Sequence, residues 1–415
     1  MRVFDDMAPA MEWLDRGMNC FLTGSAGTGK TTSLKELLRR WKARKVALTA
    51  TTNCAAKNMT AITGVDAFTI HGWSGIDTMD EYEKAMRHIL TRNQAALGRI
   101  EEVDVVVVEE VSMLPLHVLS VLNRVLQHVR KNDLPFGGVQ FVFVGDFYQL
   151  PPVEGRFCFE WELWNEYVAV TIFLKKVHRQ KDDAFVAMLN EVREAKVSDA
   201  TVAALKKKVV LDPWSTELPV ALFPTNQAAD SLNSYRYSEL TGQEKKFDVV
   251  ASAGKKKPAK MIKVALEKLL DEMPARRSLK LKVGTKVICV ANVNENLVNG
   301  SLGVVEGFKG GWPEVIFTHG KEVVAPFKWE LSVDGCIVSA TQVPLQLAWG
   351  ITIHKAQGMT LEYGGLDVGR SVFAPAQTYV ALSRFSCLEK CVLFAFDPKK
   401  IMTDPSVVAF YSRLC

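Results

Sequence analysis

The stretch with the clearest chemical meaning is "GSAGTGKT", which occupies residues 24–31. It matches the pattern G-x4-G-K-[ST] in full, and it stands between an apolar run and a stretch of helical character. Glycines in such a loop let backbone N–H groups cradle phosphate oxygens at the start of a helix. We therefore predict that Lys30 reaches the β- and γ-phosphates of a nucleotide and that the Thr31 hydroxyl holds Mg²⁺.

Two adjacent carboxylates, Glu109 and Glu110, end the apolar run "VVVVEE" at residues 105–110. Adjacent acids repel each other, so a cation or a proton-accepting group is expected nearby. Read alone, a glutamate pair at a strand end is more often a solvated edge than a site. Beside a phosphate-binding loop, however, one carboxylate can support the metal ion and the next can activate a water for attack on the γ-phosphate.

A further apolar run leads into "GDFYQLPPV" at residues 145–153. Gln149 is neutral and can both donate and accept hydrogen bonds. It is therefore suited to hydrogen-bond the γ-phosphate or the attacking water. A change at the γ-phosphate could then be transmitted to the loop that carries Gln149. By itself this signal is weak, because a Pro-Pro turn after a strand is usually only a turn.

Short apolar runs must bring these side chains to one place. Four of them end in loops that carry Gly, Thr, Asp or Glu, and helical-looking stretches separate them; they cover residues 20–24, 45–52, 105–110 and 141–146. Continuous apolar strands alternating with amphipathic helices are typical of a parallel sheet covered on both faces. Ligands bind such sheets at the carboxyl ends of the strands. The sequence therefore predicts an α/β fold with its site at that edge.

A second set of apolar runs indicates a second α/β unit; it covers residues 220–226, 346–358, 378–384 and 391–396. Between its first two members, from about 241 to 340, the sequence is Lys-rich at first and then consists of short, glycine-punctuated β runs. Such a pattern predicts a small antiparallel barrel inserted in the second unit.

The composition of the 415-residue chain is that of an ordinary globular protein, with 48% hydrophobic and 23% charged residues. A net charge of +5 permits a polyanionic partner without arguing for one. The amino-terminal residues show no signal-peptide pattern, and no apolar run is long enough to predict a membrane span. Of eight cysteines, only Cys387 and Cys391 are close together, and buried free thiols in an intracellular compartment are the preferred interpretation.

The chain resembles the petite-integration-frequency (PIF) helicases, a family within superfamily 1, subfamily B of the DNA helicases. The segment "RKNDLPFGGVQ" (130–140) looks like that family's own signature. Ten collinear motifs carry the resemblance over nearly the whole chain: "GSAGTGKTT" (24–32), "TATTNCAA" (49–56), "TIHGWSGI" (69–76), "EEVSML" (109–114), "GDFYQLPPV" (145–153), "LKKVHRQ" (174–180), "LFPTN" (222–226), "LVNGSLGVV" (297–305), "AWGITIHKAQGMTL" (348–361) and "YVALSR" (379–384).

The resemblance implies an ATP site whose catalytic residues are Lys30, Glu110, Gln149, Arg179 and Arg384. The two arginines would be arginine fingers, since a planar cation held across a cleft stabilises transition-state charge once the cleft closes. Without the motifs, each arginine would be interpreted as part of a surface salt bridge. The implied cofactors are ATP and Mg²⁺, with the metal on Thr31 and Glu109. The implied nucleotide contacts are Gly24, Gly27, Thr28, Gly29, Lys30, Thr31, Thr32, Gln149, Arg179, Gly358 and Arg384.

The resemblance also implies a single-stranded DNA track across both motor domains. Hydroxyls, amides and a lysine suit sequence-independent contact with phosphates. We predict that Trp73 stacks on a base, although a lone tryptophan usually belongs to the core. The lysine runs at 206–208 and 255–257 are interpreted as solvated surface. The positions that match the family's strand contacts are Thr51, Thr69, His71, Thr225, Asn226, His354 and Lys355.

Domain boundaries follow from the same resemblance. It implies a first RecA-like motor domain over residues 1–174 and a second over 175–240 and 341–415. It implies an SH3-like β-barrel inserted at 241–340. A strand-separating wedge is expected at about 74–100, although nothing in the composition of that segment shows the role.

Three positions depart from the family pattern. The metal-site position usually held by Asp is Glu109, which is one methylene longer. No Gln precedes the phosphate-binding loop in this sequence, which puts recognition of the adenine base in doubt. Asn53 replaces a Gly, which bears on a strand contact.

The resulting prediction is a monomeric, intracellular, ATP-dependent DNA helicase with no membrane association. It would translocate 5′ to 3′ on single-stranded DNA, a polarity that rests on the resemblance only, and would unwind tailed or forked duplex DNA. Two alternatives remain open. The first is a translocase that strips proteins from DNA without separating strands. The second is a P-loop switch or DNA-binding scaffold with negligible turnover, against which Gln149, Arg179 and Arg384 argue.

Overall fold

The computed structural model divides into two compact units. The first comprises Met1–Pro213 together with Gln357–Cys415, and the second comprises Trp214–Ala356. The predicted division into two motor domains and an insert uses other boundaries, and it stays a prediction. The residues described are 2–77, 80–180, 182–210, 214–253, 258–333 and 336–414.

Helices and strands alternate through much of the chain. The α-helices are α1 (Met7–Asp15), α2 (Lys30–Arg40), α3 (Asn53–Thr63), α4 (Ile70–Ser74), α5 (Tyr82–Arg92), α6 (Gln94–Glu102), α7 (Leu116–Arg130), α8 (Trp164–Tyr167), α9 (Asp183–Arg193), α10 (Asp199–Lys206), α11 (Asn226–Glu239), α12 (Ala259–Glu272), α13 (Gln377–Leu382) and α14 (Pro405–Ser412). The strands are β1 (Arg2–Phe4), β2 (Cys20–Thr23), β3 (Val46–Ala50), β4 (Ala67–Thr69), β5 (Val105–Glu109), β6 (Gln140–Gly145), β7 (Val170–Phe173), β8 (Ala221–Phe223), β9 (Lys245–Asp248), β10 (Val250–Ala253), β11 (Ser278–Leu281), β12 (Lys286–Cys289), β13 (Leu302–Lys309), β14 (Trp312–Phe317), β15 (Gly320–Val323), β16 (Phe327–Val333), β17 (Cys336–Gln342), β18 (Leu345–Leu347), β19 (Gly350–Thr352), β20 (Gly364–Val368) and β21 (Cys391–Phe396).

A seven-stranded parallel sheet organises the first unit, in the order β1-β7-β2-β6-β5-β3-β4. β5 and β6 are buried along their whole length, which explains why their sequences are continuous apolar runs. A further parallel pair, β20 and β21, belongs to the same unit. The predicted α/β fold with a parallel sheet is confirmed.

The two faces of this sheet pack into separate apolar clusters. Val105 and Val107 contribute to the cluster with α1, α2 and α3. Val106 and Val108 contribute to the cluster with α5, α6, α7 and α14. Successive strand residues point to opposite faces, so a run of four valines supplies both cores.

The register of the sheet places its strand ends at one edge. Ala50 at the end of β3 pairs with Glu109 at the end of β5. Thr23 at the end of β2 pairs with Gly145 at the end of β6. Because these strands are parallel, the residues that follow them share the edge at which such sheets bind ligands.

The second unit joins a short parallel strand pair to antiparallel sheets. β8 pairs with β19, and α11 packs against both. A five-stranded antiparallel sheet in the order β15-β14-β13-β12-β18 has an apolar core of its own. A second antiparallel sheet of β10, β17 and β16 packs against α12. The strands described between residues 241 and 340 are antiparallel, as predicted, but α12 also lies there and was not predicted. The identity of this region as an SH3-like barrel stays a prediction.

The segment predicted as a wedge, about 74–100, contains α5 and most of α6. Ala85, Met86 and Ile89 of α5 are buried in the core of the first unit. Residues 78–79 of this segment and the lysine run at 255–257 lie outside the described residues. The strand-separating role stays a prediction.

Two observations bear on the chain's surroundings. Within the described ranges, no helix is both long enough and apolar enough to cross a membrane. Cys387 and Cys391 are free thiols, half-buried and buried respectively. Burial raises the pKa of the Cys391 thiol to about 12, so this thiol stays protonated and unreactive at neutral pH.

Candidate nucleotide-binding site

The phosphate-binding loop joins the carboxyl end of β2 to the first turn of α2. Two of its glycines are required because the segment after β7 lies too close to the loop for a side chain. A Cβ on Gly24 would lie 2.4 Å from the Leu174 carbonyl oxygen, and a Cβ on Gly27, whose φ is +82°, would lie 2.7 Å from the Arg179 Cβ. A side chain at either position would push the loop away from the segment that follows β7, so only glycine permits this geometry.

Lys30 is folded back onto its own loop. Its Nζ donates hydrogen bonds to the carbonyl oxygens of Gly24 at 2.7 Å and Ser25 at 3.0 Å. Withdrawal of the ammonium from water lowers the pKa of Lys30, while neighbouring carboxylates, Asp146 first among them, oppose that shift. The present partners of Lys30 Nζ are neutral carbonyl oxygens, which a phosphate can replace.

Glu109 and Thr31 form a pair suited to a metal ion. Glu109 is 7% exposed, and Thr31 Oγ1 donates to its Oε1 at 2.5 Å. Burial, and after it the negative charge of Glu110, raise the pKa of Glu109 to about 7. No group of three or more His, Cys, Asp or Glu side chains that could hold a metal lies among the described residues. A hydroxyl and one carboxylate fit Mg²⁺, which takes its other oxygen ligands from phosphates and water.

Glu110 has a left-handed backbone conformation, with φ 56° and ψ 44°, which is uncommon for a residue with a side chain. Its carbonyl oxygen accepts a hydrogen bond from Thr51 Oγ1 at 2.9 Å. Its Oε2 accepts one from Gln357 Nε2 at 3.1 Å. Strained conformations persist where neighbours over-determine them, and these two contacts do so here. Sequence reasoning missed Gln357, although it precedes the predicted Gly358 directly.

Both predicted arginine fingers lie beside the loop. Arg384 is 2% exposed, and its Nε and Nη2 donate to the Val380 carbonyl and to Ser383 Oγ, each at 2.9 Å. Burial, and after it the positive charge of Arg179, lower the pKa of Arg384 to about 10. The guanidinium therefore stays charged at neutral pH. Two cations beside one loop, Arg384 buried and Arg179 half-buried, favour an anionic ligand.

A cavity of about 290 Å³ in the first unit brings the predicted residues together. Gly24 and Thr28, which were also predicted to bind the nucleotide, do not line it; the Thr28 hydroxyl donates to the Ser25 carbonyl inside the loop at 2.9 Å. The predicted residues that do line it are Gly27, Gly29, Lys30, Thr31, Thr32, Glu109, Glu110, Gln149, Arg179, Gly358 and Arg384.

Three buried glutamines around the site each have an amide oxygen without a hydrogen-bond partner among the described residues: Gln149, Gln180 and Gln357. Their side chains are 4%, 4% and 1% exposed. Buried polar atoms are normally paired, so each of these acceptors can take a hydrogen bond from an ordered water or from a ligand at the site. Waters on a metal ion and a water poised for attack are donors of the required kind.

A buried charge pair behind the loop was also missed. Arg193 donates to both carboxylate oxygens of Asp146, at 2.8 and 2.7 Å. The Tyr379 hydroxyl accepts from the Ala26 N–H at 2.8 Å and donates to Asp146 Oδ2 at 3.4 Å, and the Tyr411 hydroxyl donates to Oδ1 at 3.3 Å. This network ties the loop to three helices. Asp146 lies within the motif "GDFYQLPPV", which could have indicated its importance. Nothing in the sequence distinguishes Arg193 from other arginines.

The predicted strand contacts of the first unit lie at the carboxyl ends of β3 and β4. Thr51 follows β3 directly. Thr69 ends β4, and its Oγ1 accepts from the Gly72 N–H at 3.0 Å to cap α4. His71 Nδ1 lies 2.9 Å from the Ile76 carbonyl oxygen. Their contact with DNA stays a prediction.

The prediction that Trp73 stacks on a base is wrong. Its side chain is 2% exposed and packs in the apolar cluster of the first unit. Stacking requires an accessible ring face, and this indole has none. The core interpretation, usual for a lone tryptophan, applies.

In the second unit, Thr225 caps α11 through its hydroxyl. Asn226 and Lys355 line one cavity of about 310 Å³. His354 is half-buried, and burial lowers its pKa, so its imidazole is neutral at physiological pH. The structure brings Asn226 and Lys355 together, while contact of these residues with DNA stays a prediction.

Comparison with known proteins finds relatives along the whole chain. Residues 2–203 match the family model of PIF1-like helicases, and residues 266–308 match that of the 2B domain of DNA helicase Pif1. The ATP-dependent DNA helicase PIF1 of Emericella nidulans is 33% identical over 97% of this chain and 61% of its own. The ATP-dependent DNA helicase Pif1 of a Psychrobacter species is 32% identical over 96% of this chain and 69% of its own. The chain spans about three-fifths of the length of most curated relatives it matches.

Solved structures similar to this chain are also Pif1 helicases. The crystal structure of Pif1 helicase from Candida albicans has a TM-score of 0.84 and 32% identity, covering 98% of this chain and 97% of that one. Pif1 helicase from Bacteroides in complex with ADP-AlF3 and ssDNA has a TM-score of 0.76 and 27% identity, covering 100% and 97%.

Proposed function

This chain belongs to the PIF1-like helicase family, and we propose that it is an ATP-dependent DNA helicase. It translocates 5′ to 3′ on single-stranded DNA and unwinds tailed or forked duplexes. ATP hydrolysis drives strand movement through two RecA-like domains. The observation that carries the proposal is the cavity lined at once by the phosphate-binding loop, both glutamates, Gln149 and both arginines.

Hydrolysis is assigned to Glu110. Its carboxylate, held by Gln357, takes a proton from the water that attacks the γ-phosphate. Lys30 leaves its loop carbonyls for the phosphates, while Arg179 and Arg384 stabilise the charge that builds on the equatorial oxygens. Mg²⁺, when bound, supplies further stabilisation of phosphate charge, and Thr31 and Glu109 are the residues that would hold it.

DNA binding is assigned to contacts in each unit. The Bacteroides relative was solved with ssDNA, which supports a single strand as the partner. Hydroxyl, amide and lysine side chains favour phosphate contact over sequence readout. The residues assigned are Thr51, Thr69, His71, Thr225, Asn226, His354 and Lys355.

The finer organisation is part of the same proposal. The motor domains cover residues 1–174 and 175–240 with 341–415, and an SH3-like insert covers 241–340. The segment at about 74–100 is the wedge. The protein acts as an intracellular monomer.

ATPase measurements with and without single-stranded DNA test the proposal. We expect a low rate alone and a strong rise with DNA, because strand contacts and nucleotide contacts belong to one motor. A rate unchanged by saturating single strands contradicts it. A duplex with a 5′ tail should be unwound and one with a 3′ tail should not, which tests the polarity separately.

Arg384→Ala should leave ATP binding nearly intact and lower hydrolysis by roughly 10³-fold or more, the range for arginine fingers. Arg39→Ala is the matched control, since Arg39 is 72% exposed on α2. Normal hydrolysis by Arg384→Ala removes this residue from the site.

A further inference from the structure

Phe68 is an exposed aromatic residue at the edge of the parallel sheet. It is the middle residue of β4, and its side chain is 53% exposed. β4 is the last strand of the seven-stranded order, so within the described ranges no further strand lies beside it. Trp73, the nearby aromatic that was predicted to stack although a core position is usual for a lone tryptophan, is buried.

The register shows which way the Phe68 ring points. Phe68 pairs with Thr49, and Ala67 pairs with Leu48. Leu48 and Ala67 belong to the apolar cluster beneath α2 and α3. Since successive strand residues alternate between faces, Phe68 points away from that cluster, to the opposite side of the edge strand.

Thr69 follows Phe68 and lies at the carboxyl end of β4, where Ala50 is its partner and Thr51 comes next. Thr69 is thus one strand residue, ~3.3 Å of backbone rise, from Phe68, and Thr51 lies two residues beyond Thr49, the partner of Phe68 on β3. A DNA backbone that contacts these threonines passes the end of β4, one residue from Phe68, where an unpaired base can reach the exposed ring.

We propose that Phe68 stacks on an unpaired base of the single DNA strand. The inference rests on the proposed function and deepens it by naming a base contact. Isolated exposed apolar residues are common on proteins, so the position of Phe68, and not its exposure alone, carries the assignment. An exposed apolar residue on an edge β-strand favours aggregation. Bound single-stranded DNA would cover Phe68 on β4. Stacking is tolerant of sequence, because every base has a π-face.

The test compares two oligonucleotides of equal length, one of deoxythymidine and one in which every base is replaced by an abasic site. Phe68→Ala should weaken binding of the deoxythymidine strand by roughly tenfold, within the range for loss of one stacking aromatic. Binding of the abasic strand should be unaffected. The salt dependence should also stay the same, because no phosphate contact is removed.

Two variants sharpen the comparison. Phe68→Trp keeps a stacking face and should retain affinity for the deoxythymidine strand. Val65→Ala removes another exposed apolar side chain, 41% exposed and just before β4, and should change neither affinity. Melting temperatures of all variants should match the wild type, since none removes a buried contact.

Equal loss on both oligonucleotides, or no loss on either, overturns the inference while leaving the proposed function standing. Wild-type protein that binds neither strand overturns the proposed function and this inference with it. The wild-type measurement therefore distinguishes failure of the Phe68 inference from failure of the proposed function.

Discussion

At the scale of single residues, one peptide bond separates two carboxylates with different surroundings. Glu109 ends β5 inside the protein, where burial raises its pKa to about 7 and a threonine hydroxyl contacts it. Glu110 leaves the strand through a left-handed turn and meets the Gln357 amide. The first position suits a metal ligand and the second suits a base that faces water.

Substitution by glutamine should separate the two roles. Glu110→Gln should keep metal and nucleotide bound but nearly abolish turnover, since an amide cannot take the proton. Glu109→Gln should instead raise the Mg²⁺ concentration needed for half-maximal ATPase activity. Titration of ATPase rate with Mg²⁺ checks both.

Glu109→Asp is the conservative comparison. It should retain roughly a tenth of the activity or more, because a metal held mainly by phosphates and water tolerates a shorter carboxylate. Rescue of Glu110→Gln by excess Mg²⁺, with Glu109→Gln left inactive, would show that the assignments are reversed.

The raised pKa of Glu109 predicts a pH-dependent metal requirement. Metal ligands must be deprotonated, so a proton competes with Mg²⁺ once the pH falls below about 7. The Mg²⁺ concentration for half-maximal ATPase activity should rise as the pH is lowered, by up to about tenfold per unit below the pKa. Glu109→Gln should lack this dependence, and the same pH dependence in that variant would contradict the assignment.

At the scale of elements, a polar centre braces the candidate site from behind. Asp146 follows β6, Arg193 ends α9, Tyr379 lies on α13 and Tyr411 lies on α14. Asp146 is fully buried and Arg193 nearly so. Removal of one partner of such a pair strands the other charge in the interior.

Arg193→Ala should therefore destabilise the fold by about 3–5 kcal/mol, seen as a fall in the thermal midpoint of unfolding. Arg40→Ala is the control: Arg40 pairs with Asp15 at 2.7 Å, but the two side chains are 50% and 37% exposed. Exposed pairs contribute little, so its midpoint should hardly move. Similar shifts in both variants would show that the buried network does not brace the site.

Sequence patterns predicted the elements better than the side-chain contacts. The strands β2, β3, β5 and β6 were predicted from continuous apolar runs, because full burial removes alternation. Trp73 was assigned wrongly because residue type does not reveal which way a ring on a five-residue helix points. Arg193 and Gln357 were missed because their partners lie 47 and 247 positions away in the chain, and only the fold brings them together.

At the scale of the whole molecule, charge alone does not explain an affinity for DNA. The net charge is only +5, and the assigned strand contacts include a single lysine, Lys355. His354 does not add a charge at neutral pH because burial lowers its pKa. For the strand contacts proposed above, uncharged hydrogen bonds and stacking are therefore expected to contribute more than ion pairs.

The salt dependence of DNA binding should accordingly be shallow. For a single-stranded site, each neutralised phosphate contributes about −0.7 to the slope of log affinity against log salt, so one lysine contact predicts a slope of about −0.7. Anisotropy titrations with labelled strands at several salt concentrations check this, with little difference expected between base compositions. A slope steeper by about 2 would indicate that the lysine run at 206–208 also contacts phosphates.

At Glu110, the residue proposed for catalysis is not the residue that best fits the left-handed backbone conformation. An L-residue pays roughly 1 kcal/mol or more for that conformation, and asparagine accepts it more readily than most. Glu110→Asn should therefore raise the melting temperature above those of the wild type and Glu110→Gln, while leaving no base within reach of the attacking water. The change that relieves the backbone strain at this position therefore also removes the proposed catalytic base.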